Sequence, residues 1–144
     1  MNKKMTLMAE AEKYCEAHGL RLTAPRLYVL QVLQEAQAPL GAYDILEKLG
    51  DYIVRPKPPT AYRALDFWRE HGFAHKIESL NAYVSCCTGH AHHDTRFIVC
   101  DGCRSVEELH SHAVPKVKLP DGFIAKGSFT EIHGICGNCS ASDI

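Results

Sequence analysis

Apolar residues in the first third of the chain recur at the spacing that places them on one face of an α-helix. The first such segment covers residues 7–18, and Gly19 follows it as a residue type that favours the left-handed conformation at a helix end. The second segment begins after Thr23, a favourable N-cap, and carries Pro25 in its first turn. The third covers residues 42–49. The pattern therefore predicts three consecutive short helices.

A fourth amphipathic segment is followed by a pattern typical of a β-hairpin. It begins at Pro59 and stops before Gly72, with an apolar stripe of Ala61, Ala64, Leu65 and Trp68 and an opposite polar face of Thr60, Tyr62, Arg63, Asp66 and Arg69. Residues 73–77 then alternate in polarity, turn residues follow, and residues 82–86 form a return strand. Helices followed by a two-stranded wing indicate a winged helix-turn-helix, whose last helix normally enters the major groove of DNA.

After residue 86 the composition shifts toward Cys, His, Gly and β-branched residues. Strands are predicted at residues 96–100 and 105–109, a short helix at residues 113–119, and mostly extended chain at residues 122–135. The whole pattern predicts an α+β protein with a winged helix-turn-helix domain over residues 1–86, a hinge over residues 87–94, and a small C-terminal α/β domain over residues 95–144.

Length and composition are those of a soluble, folded protein of one domain or two small ones. The chain has 144 residues, of which 46% are hydrophobic and 23% are charged, and its formal net charge is −1. No stretch reaches the ~20 apolar residues of a membrane span, and residues 1–12 lack the apolar core of a secretory signal. We therefore expect a cytoplasmic protein with no membrane partner. Its 7 cysteines and 9 histidines favour metal binding over disulfides, because the cytosol keeps thiols reduced.

Two CxxC pairs provide the strongest chemical signal in the sequence. The first consists of Cys100 and Cys103, and the second of Cys136 and Cys139. Each spacing lets two thiolates point at one ion from a tight turn, and Gly102 and Asn138 are residue types that tolerate the unusual backbone angles such a turn often needs. Four thiolates complete a tetrahedral zinc site with no open position. The C-terminal domain is therefore predicted to contain a structural zinc.

A second set of metal-binding residue types surrounds the junction of the two predicted domains. It consists of His75, Cys86, Cys87, His90, His92, His93 and Glu108. Each residue taken alone is more often an ordinary core or surface residue than a ligand. Together, imidazole nitrogen, thiolate and carboxylate suit Zn²⁺, and the smaller number of thiolates predicts weaker, exchangeable binding. Such a site is suited to sensing zinc.

A local basic patch surrounds the start of the fourth predicted helix. Residues 52–65 contain no acidic residue and three basic ones, Arg55, Lys57 and Arg63. Arg63 and Tyr62 fall on the outward face of the helix, where Arg can donate a pair of hydrogen bonds to guanine and Tyr can pack on a thymine methyl. Candidate phosphate or sugar contacts on preceding segments are Arg21, Arg26 and Tyr43. The wing and the patch together favour DNA binding over a merely solvated helix face.

Four segments and the two CxxC pairs together resemble the ferric uptake regulator (Fur) superfamily over nearly the whole chain. The segments are residues 21–26 (RLTAPR), 42–46 (AYDIL), 57–67 (KPPTAYRALDF) and 72–79 (GFAHKIES). The third segment, together with the one that contains His75, is most similar to the zinc uptake regulator branch. The resemblance implies a homodimeric repressor whose C-terminal domain forms the dimer. When loaded with metal, it would bind palindromic A·T-rich operators of zinc-uptake genes.

The resemblance also implies a role for individual residues. The regulatory zinc ligands of the branch fall on His75, Cys86, His93 and Glu108, and its structural zinc ligands on the four CxxC cysteines. Residues His90 and His92 are additional or alternative ligands, and Cys87 is an alternative to its neighbour. The implied cofactor content is two zinc ions per subunit. The DNA-binding set comprises Tyr43 and Arg63 as base contacts, with Lys57, Thr60, Tyr62, Arg21 and Arg26.

Three alternatives follow from the same residues. An iron, manganese or peroxide sensor of the same superfamily is one, although Phe97 stands where the iron-sensing branch usually has a His. A zinc-buffering protein that binds no DNA is the second. A zinc enzyme with a small-molecule substrate is disfavoured, because the chain has no His-x-Glu element and no His-Glu-x-x-His motif.

Overall fold

The computed structural model describes residues 3–36, 38–86, 94–109, 117–125 and 128–142, with the side chains of residues 3–6, 94 and 142 left out. The chain divides into two compact units, Met1–Ala91 and His92–Ile144. This division falls inside the segment that the sequence predicts as the hinge, and residues 87–93 of that segment lie outside the described part. No helix in the described part of the chain is long and apolar enough to cross a bilayer.

The first unit contains the four predicted helices. They are α1 (Lys3–Ala17), α2 (Ala24–Glu35), α3 (Ala42–Leu49) and α4 (Pro58–Glu70). Gly19 adopts the predicted left-handed conformation with φ +65°, and the Thr23 hydroxyl accepts the predicted capping bond from the Arg26 amide at 3.5 Å. Helix α1 begins at Lys3, earlier than predicted. The prediction began late because the first residues of the helix carry no apolar stripe. Helix α4 begins at Pro58, one residue early, since two successive prolines fit a first turn.

The helices pack around one hydrophobic core that the apolar stripes predicted correctly. The α4 stripe of Ala61, Ala64, Leu65 and Trp68 is buried, and Phe67 is buried as well. Helix α2 contributes Val29, Leu30, Val32 and Leu33. Cys15 of α1 lies in the same core, as its place in the helical pattern predicted, and burial raises the pKa of its thiol. The outward residues of α4 are left for contacts outside the core.

The predicted wing follows α4 as an antiparallel hairpin of β1 (Ala74–Ile77) and β2 (Ala82–Ser85). A 3₁₀ turn over Glu78–Leu80 connects the strands, and Asn81 completes the turn with φ +49°. On the other edge of β2, Leu40 and Tyr83 exchange two backbone hydrogen bonds of 3.0 and 2.7 Å. This bridge fixes the wing to the chain just before α3.

The second unit contains a three-stranded sheet and a short terminal helix. Its elements are β3 (Asp94–Cys100), β4 (Val106–Leu109), β5 (Ser128–Gly134) and α5 (Gly137–Ser142). The strand order is β4-β3-β5, with β4 antiparallel and β5 parallel to the central strand. The helix predicted at residues 113–119 is not confirmed: residues 117–119 are not helical, and residues 113–116 lie outside the described part. Helix α5 was missed, because its sequence has no apolar periodicity.

Candidate metal centre and nucleic-acid interface

The parallel pairing of β3 and β5 brings the two CxxC pairs together. Cys100 ends β3 and pairs with Gly134 at the end of β5, so the turn after each strand lies at the same edge of the sheet. Cys136 lies just before α5 and Cys139 lies inside that helix. The four sulfur atoms are all within 4.8 Å of one another. This convergence confirms the predicted four-cysteine cluster.

The spacing of the sulfur atoms fits a tetrahedral zinc ion. The Sγ atoms of Cys103 and Cys136 are 3.8 Å apart, which is about the edge length of a tetrahedron with Zn–S bonds of about 2.3 Å. Within the described residues, this is the one group of three or more His, Cys, Asp or Glu side chains that converges on a common point. A thiolate set without an open position suits a structural ion.

Backbone hydrogen bonds hold the first CxxC turn independently of any metal. The amide of Cys100 donates to the Ser105 carbonyl at 3.0 Å, and the amide of Arg104 donates back to the Cys100 carbonyl at 2.9 Å. The amide of Asp101 donates to the carbonyl of Gly134 at 2.8 Å, which ties the turn to β5. The turn is therefore held by the sheet and does not depend on the sulfur ligands alone.

The glycine of the first CxxC pair is required for space. A Cβ atom on Gly102 would lie 3.0 Å from the Sγ and 3.2 Å from the Cβ of Cys139. The positive φ of this turn belongs to Arg104, at +62°, and neither Gly102 nor Asn138 has one. The tolerance of these two residue types for unusual backbone angles is therefore not used here. At Gly102 the real reason is the close approach of the second CxxC pair.

Hydrogen bonds to sulfur prepare the cluster for a cation. The amides of Cys103 and Cys136 donate to the Cys100 Sγ at 3.5 and 3.2 Å. These bonds favour the thiolate and lower the pKa of Cys100 from 9.0 to about 6. A hydrogen bond with the Ser105 hydroxyl, 3.3 Å from the sulfur, lowers the pKa of Cys103. Ser105 is a site residue that the sequence reasoning missed, although a hydroxyl two residues after a ligand is a recognisable signal.

The pKa of Cys139 shifts in the opposite direction, because the other three sulfur atoms lie close to its own. Its hydrogen bonds with Cys136, Cys100 and Cys103, in that order of size, raise the pKa of its thiol to about 12. Without a metal, the cluster therefore shares protons among closely spaced sulfurs. A divalent cation can take the place of these protons, because zinc binds thiolates and displaces the protons of the thiols. The donor set therefore fits zinc.

Two residues of the predicted sensor set are neighbours on the wing. His75 pairs with Val84 in the hairpin, and the amide of Cys86 donates to the Phe73 carbonyl at 2.8 Å. The ladder therefore places His75 and Cys86 at diagonal positions on one face of the hairpin, within about 7–8 Å of one another. Cys86 is buried, and so is the Nε2 atom of His75.

The remaining predicted sensor residues belong to the second unit or lie outside the described residues. Glu108 lies in β4 of the second unit, opposite Phe97 of β3. The side chains of Cys87, His90, His92 and His93 lie outside the described residues. The regulatory ligand set therefore stays a prediction.

The outer faces of α3 and α4 present the predicted base-reading residues. Tyr43 is 87% exposed on α3 and Tyr62 is 47% exposed on α4. Arg63, Lys57 and Arg55 are exposed and Thr60 is half-buried. Val54 is 88% exposed beside this patch, an apolar contact surface that charge reasoning did not single out.

The two arginines predicted as phosphate contacts have different surroundings. Arg21 is exposed. Arg26 is half-buried as a residue, and its guanidinium lies over the Phe67 ring and donates to the backbone carbonyl of Arg21 in an exposed hydrogen bond. The DNA-contact roles of both stay predictions, and the contacts of Arg26 give it a second candidate role.

The winged-helix unit and the four-cysteine centre together define a metal-binding regulator of the Fur type. The sequence profile of the Ferric uptake regulator family matches residues 17–121. The chain belongs to this family.

Among individual proteins, the chain is 38% identical to the zinc uptake regulation protein of Escherichia coli (strain K12) over 138 residues, which cover 92% of this chain and 81% of that protein. It is 23% identical to the peroxide operon regulator of Bacillus subtilis (strain 168) over 94% of this chain and 95% of that protein. Among solved structures, a zinc uptake regulator complexed with zinc and DNA matches with a TM-score of 0.81 at 36% identity, covering 99% of both chains. Holo XcZur matches with a TM-score of 0.72 at 34% identity, covering 94% of this chain and 98% of that one.

Proposed function

We propose that this protein is a zinc-responsive transcriptional repressor, which binds operator DNA as a zinc-loaded homodimer and represses zinc-uptake genes. The observation that carries the proposal is the combination of 36% identity and a TM-score of 0.81 with a regulator solved with zinc and DNA. The converging thiols and the exposed basic face of α4 are independent supports from this chain itself.

Each subunit binds two zinc ions in this proposal. The first is structural and is held by Cys100, Cys103, Cys136 and Cys139. It stabilises the second unit, whose described residues form only a three-stranded sheet and one short helix. A domain this small gains a large part of its folding free energy from such an ion.

The second zinc is regulatory and is held by His75, Cys86, His93 and Glu108, with His90 and His92 as additional or alternative ligands. The placement of His75 and Cys86 on one face of the wing supports this set. Zinc acts by a population shift, because it binds more tightly to the state in which the two winged helices of the dimer have the spacing of two successive half-sites. A coupling of about 3 kcal/mol would change DNA affinity about 100-fold.

DNA is contacted by α4, α3 and the chain before each of them. Arg63 and Tyr43 read bases, while Tyr62, Thr60, Lys57 and Arg21 add contacts in the groove or to phosphates. The exposure of Tyr43 supports this assignment, because a side chain that is 87% exposed is available for a base edge.

Dimerisation is assigned to the second unit. Ile98 of β3 pairs in register with Ile132 of β5, and both are exposed on the same face of the sheet. Phe123 and Ile124 are exposed in the preceding segment. Exposed apolar surface of this kind is costly for a monomer and is expected to be covered by a second copy of the chain. The proposed location is the cytoplasm, and the proposal includes no catalytic step.

The experiment that tests the function is a metal-by-metal DNA-binding titration. A duplex is selected from a randomised pool by the zinc-loaded protein, and its affinity is then measured with zinc, iron, manganese or no added metal. We expect tight binding with zinc at the lowest free metal concentration. Tighter binding with iron or manganese would support the other sensors of the superfamily. Zinc uptake without selection of any duplex would support the zinc buffer.

A further inference from the structure

Arg26 makes three contacts that connect α2 to α4 and to the turn before α2. Its guanidinium carbon lies 3.9 Å from the centroid of the Phe67 ring. Its backbone carbonyl accepts a hydrogen bond of 2.7 Å from the indole Nε1 of Trp68. One guanidinium nitrogen donates to the backbone carbonyl of Arg21. A single residue therefore braces the inner face of the recognition helix against the α1–α2 turn.

The two contacts with α4 involve buried aromatic side chains, whereas the hydrogen bond to the Arg21 carbonyl is exposed. Phe67 is 8% exposed and Trp68 is fully buried. The Arg26 charge also lowers the pKa of the buried Cys15 thiol of α1, against the larger effect of burial. A cation over a ring that is itself buried is stronger than the same pair in water.

Phe67 connects Arg26 to the residue proposed to read bases. Phe67 and Arg63 are four residues apart on α4 and are therefore neighbours along one side of the helix. Side chains on a helix lean toward its N-terminus, so the Phe67 ring lies under the turn that presents Arg63. A guanidinium that fixes this ring also fixes the rotation of the turn above it.

We infer that Arg26 is a positioning residue for sequence recognition, whose guanidinium sets the rotation of α4 through its contact with Phe67. The inference rests on the proposed DNA-binding function and gives Arg26 a role different from the predicted phosphate contact. Arg21, which is exposed, keeps the phosphate role.

The two roles differ in their dependence on salt. A side chain that neutralises one phosphate contributes about 1 to the slope of log K against log salt, and its loss weakens binding to all sequences alike. A positioning residue leaves the slope unchanged, and its loss reduces the ratio of affinities for the selected duplex and a scrambled one.

The test compares three variants of the full-length, zinc-loaded protein on a selected duplex and on a scrambled duplex of the same composition. Arg26→Lys keeps the charge but loses the planar fork, and Arg26→Met loses the charge but keeps much of the volume. For both we expect the affinity ratio to fall about tenfold, which is about the effect of one partly desolvated cation–π contact, with the slope unchanged. Arg21→Met should lower the slope by about 1 and leave the ratio unchanged. A wild-type ratio for Arg26→Lys, with a slope lowered by about 1 for Arg26→Met, would overturn the inference.

A second measurement needs no DNA. Trp68 is the one tryptophan of the chain, and its indole NMR resonance reports on the hydrogen bond with the Arg26 backbone carbonyl, which Arg26→Lys retains but which changes geometry when α4 rotates. For Arg26→Lys we expect a shifted indole resonance and about tenfold faster amide exchange in α4, with α3 unaffected. An unchanged resonance and unchanged exchange would overturn the inference. If the wild type selects no duplex, the proposed function fails, and this measurement still decides whether Arg26 holds α4.

Discussion

The close approach of the two CxxC pairs at Gly102 leads to a quantitative prediction for Gly102→Ala. The added methyl group would lie 3.0 Å from the Sγ and 3.2 Å from the Cβ of Cys139, and 3.6 Å from the Sγ of Cys100. Ordinary carbon contacts begin at about 3.5 Å, so α5 or the turn has to move by several tenths of an ångström. Overpacking of this kind typically costs about 1–3 kcal/mol. The displaced atoms belong to the proposed zinc ligands, so we expect this cost to appear as a loss of zinc affinity of about 5- to 150-fold.

The assay is competition for zinc with a chromophoric chelator, followed by thermal unfolding of the loaded protein. Gly137→Ala is the matched control, because it adds the same methyl group next to Cys136, where no atom lies within 4 Å. It should retain zinc at least as well as the wild type, since alanine is the better residue in a helix. Equal zinc affinity in the two variants would refute the argument that Gly102 is required for space.

Three further predictions concern the two metals and the DNA-reading face. Cys100→Ser should unfold the second unit, because the ion contributes folding free energy; retained cooperative melting and retained dimers would contradict this. Cys86→Ser and His93→Ala should each leave a folded dimer that binds operator weakly at ordinary zinc levels, and unchanged operator affinity in both would reject them as ligands. Arg63→Ala should keep both zinc ions and lose about 1–3 kcal/mol of discrimination at one base step; a uniform loss at every position would instead indicate a phosphate contact.

The helices of the first unit could be predicted because their signals are local. Apolar periodicity, the cap at Thr23 and the left-handed Gly19 all act within a few residues, and each was confirmed. Helix α5 could not be found this way. It has no buried stripe, and two of the four clustered cysteines, Cys136 and Cys139, lie at its start and inside it.

The cysteine cluster itself was predictable from the two spacings, but its construction was not. The parallel pairing of β3 with β5 joins segments far apart in sequence, and it decides that Gly102 faces Cys139. Arg26 illustrates the same limit. Its residue type and position suggested a phosphate contact, whereas its contact with Phe67 depends on how α2 packs on α4. Packing of this kind leaves no periodic signal in the sequence.

The division of labour between two zinc ions is tested most directly by counting the ions and measuring DNA affinity on the same sample. Native mass spectrometry of the zinc-saturated dimer should give two ions per subunit. A mild chelator should then remove one ion per subunit, leave the dimer intact and abolish tight binding to the selected duplex, as measured by fluorescence anisotropy. One ion per subunit at saturation, with undiminished DNA affinity after chelation, would contradict the account.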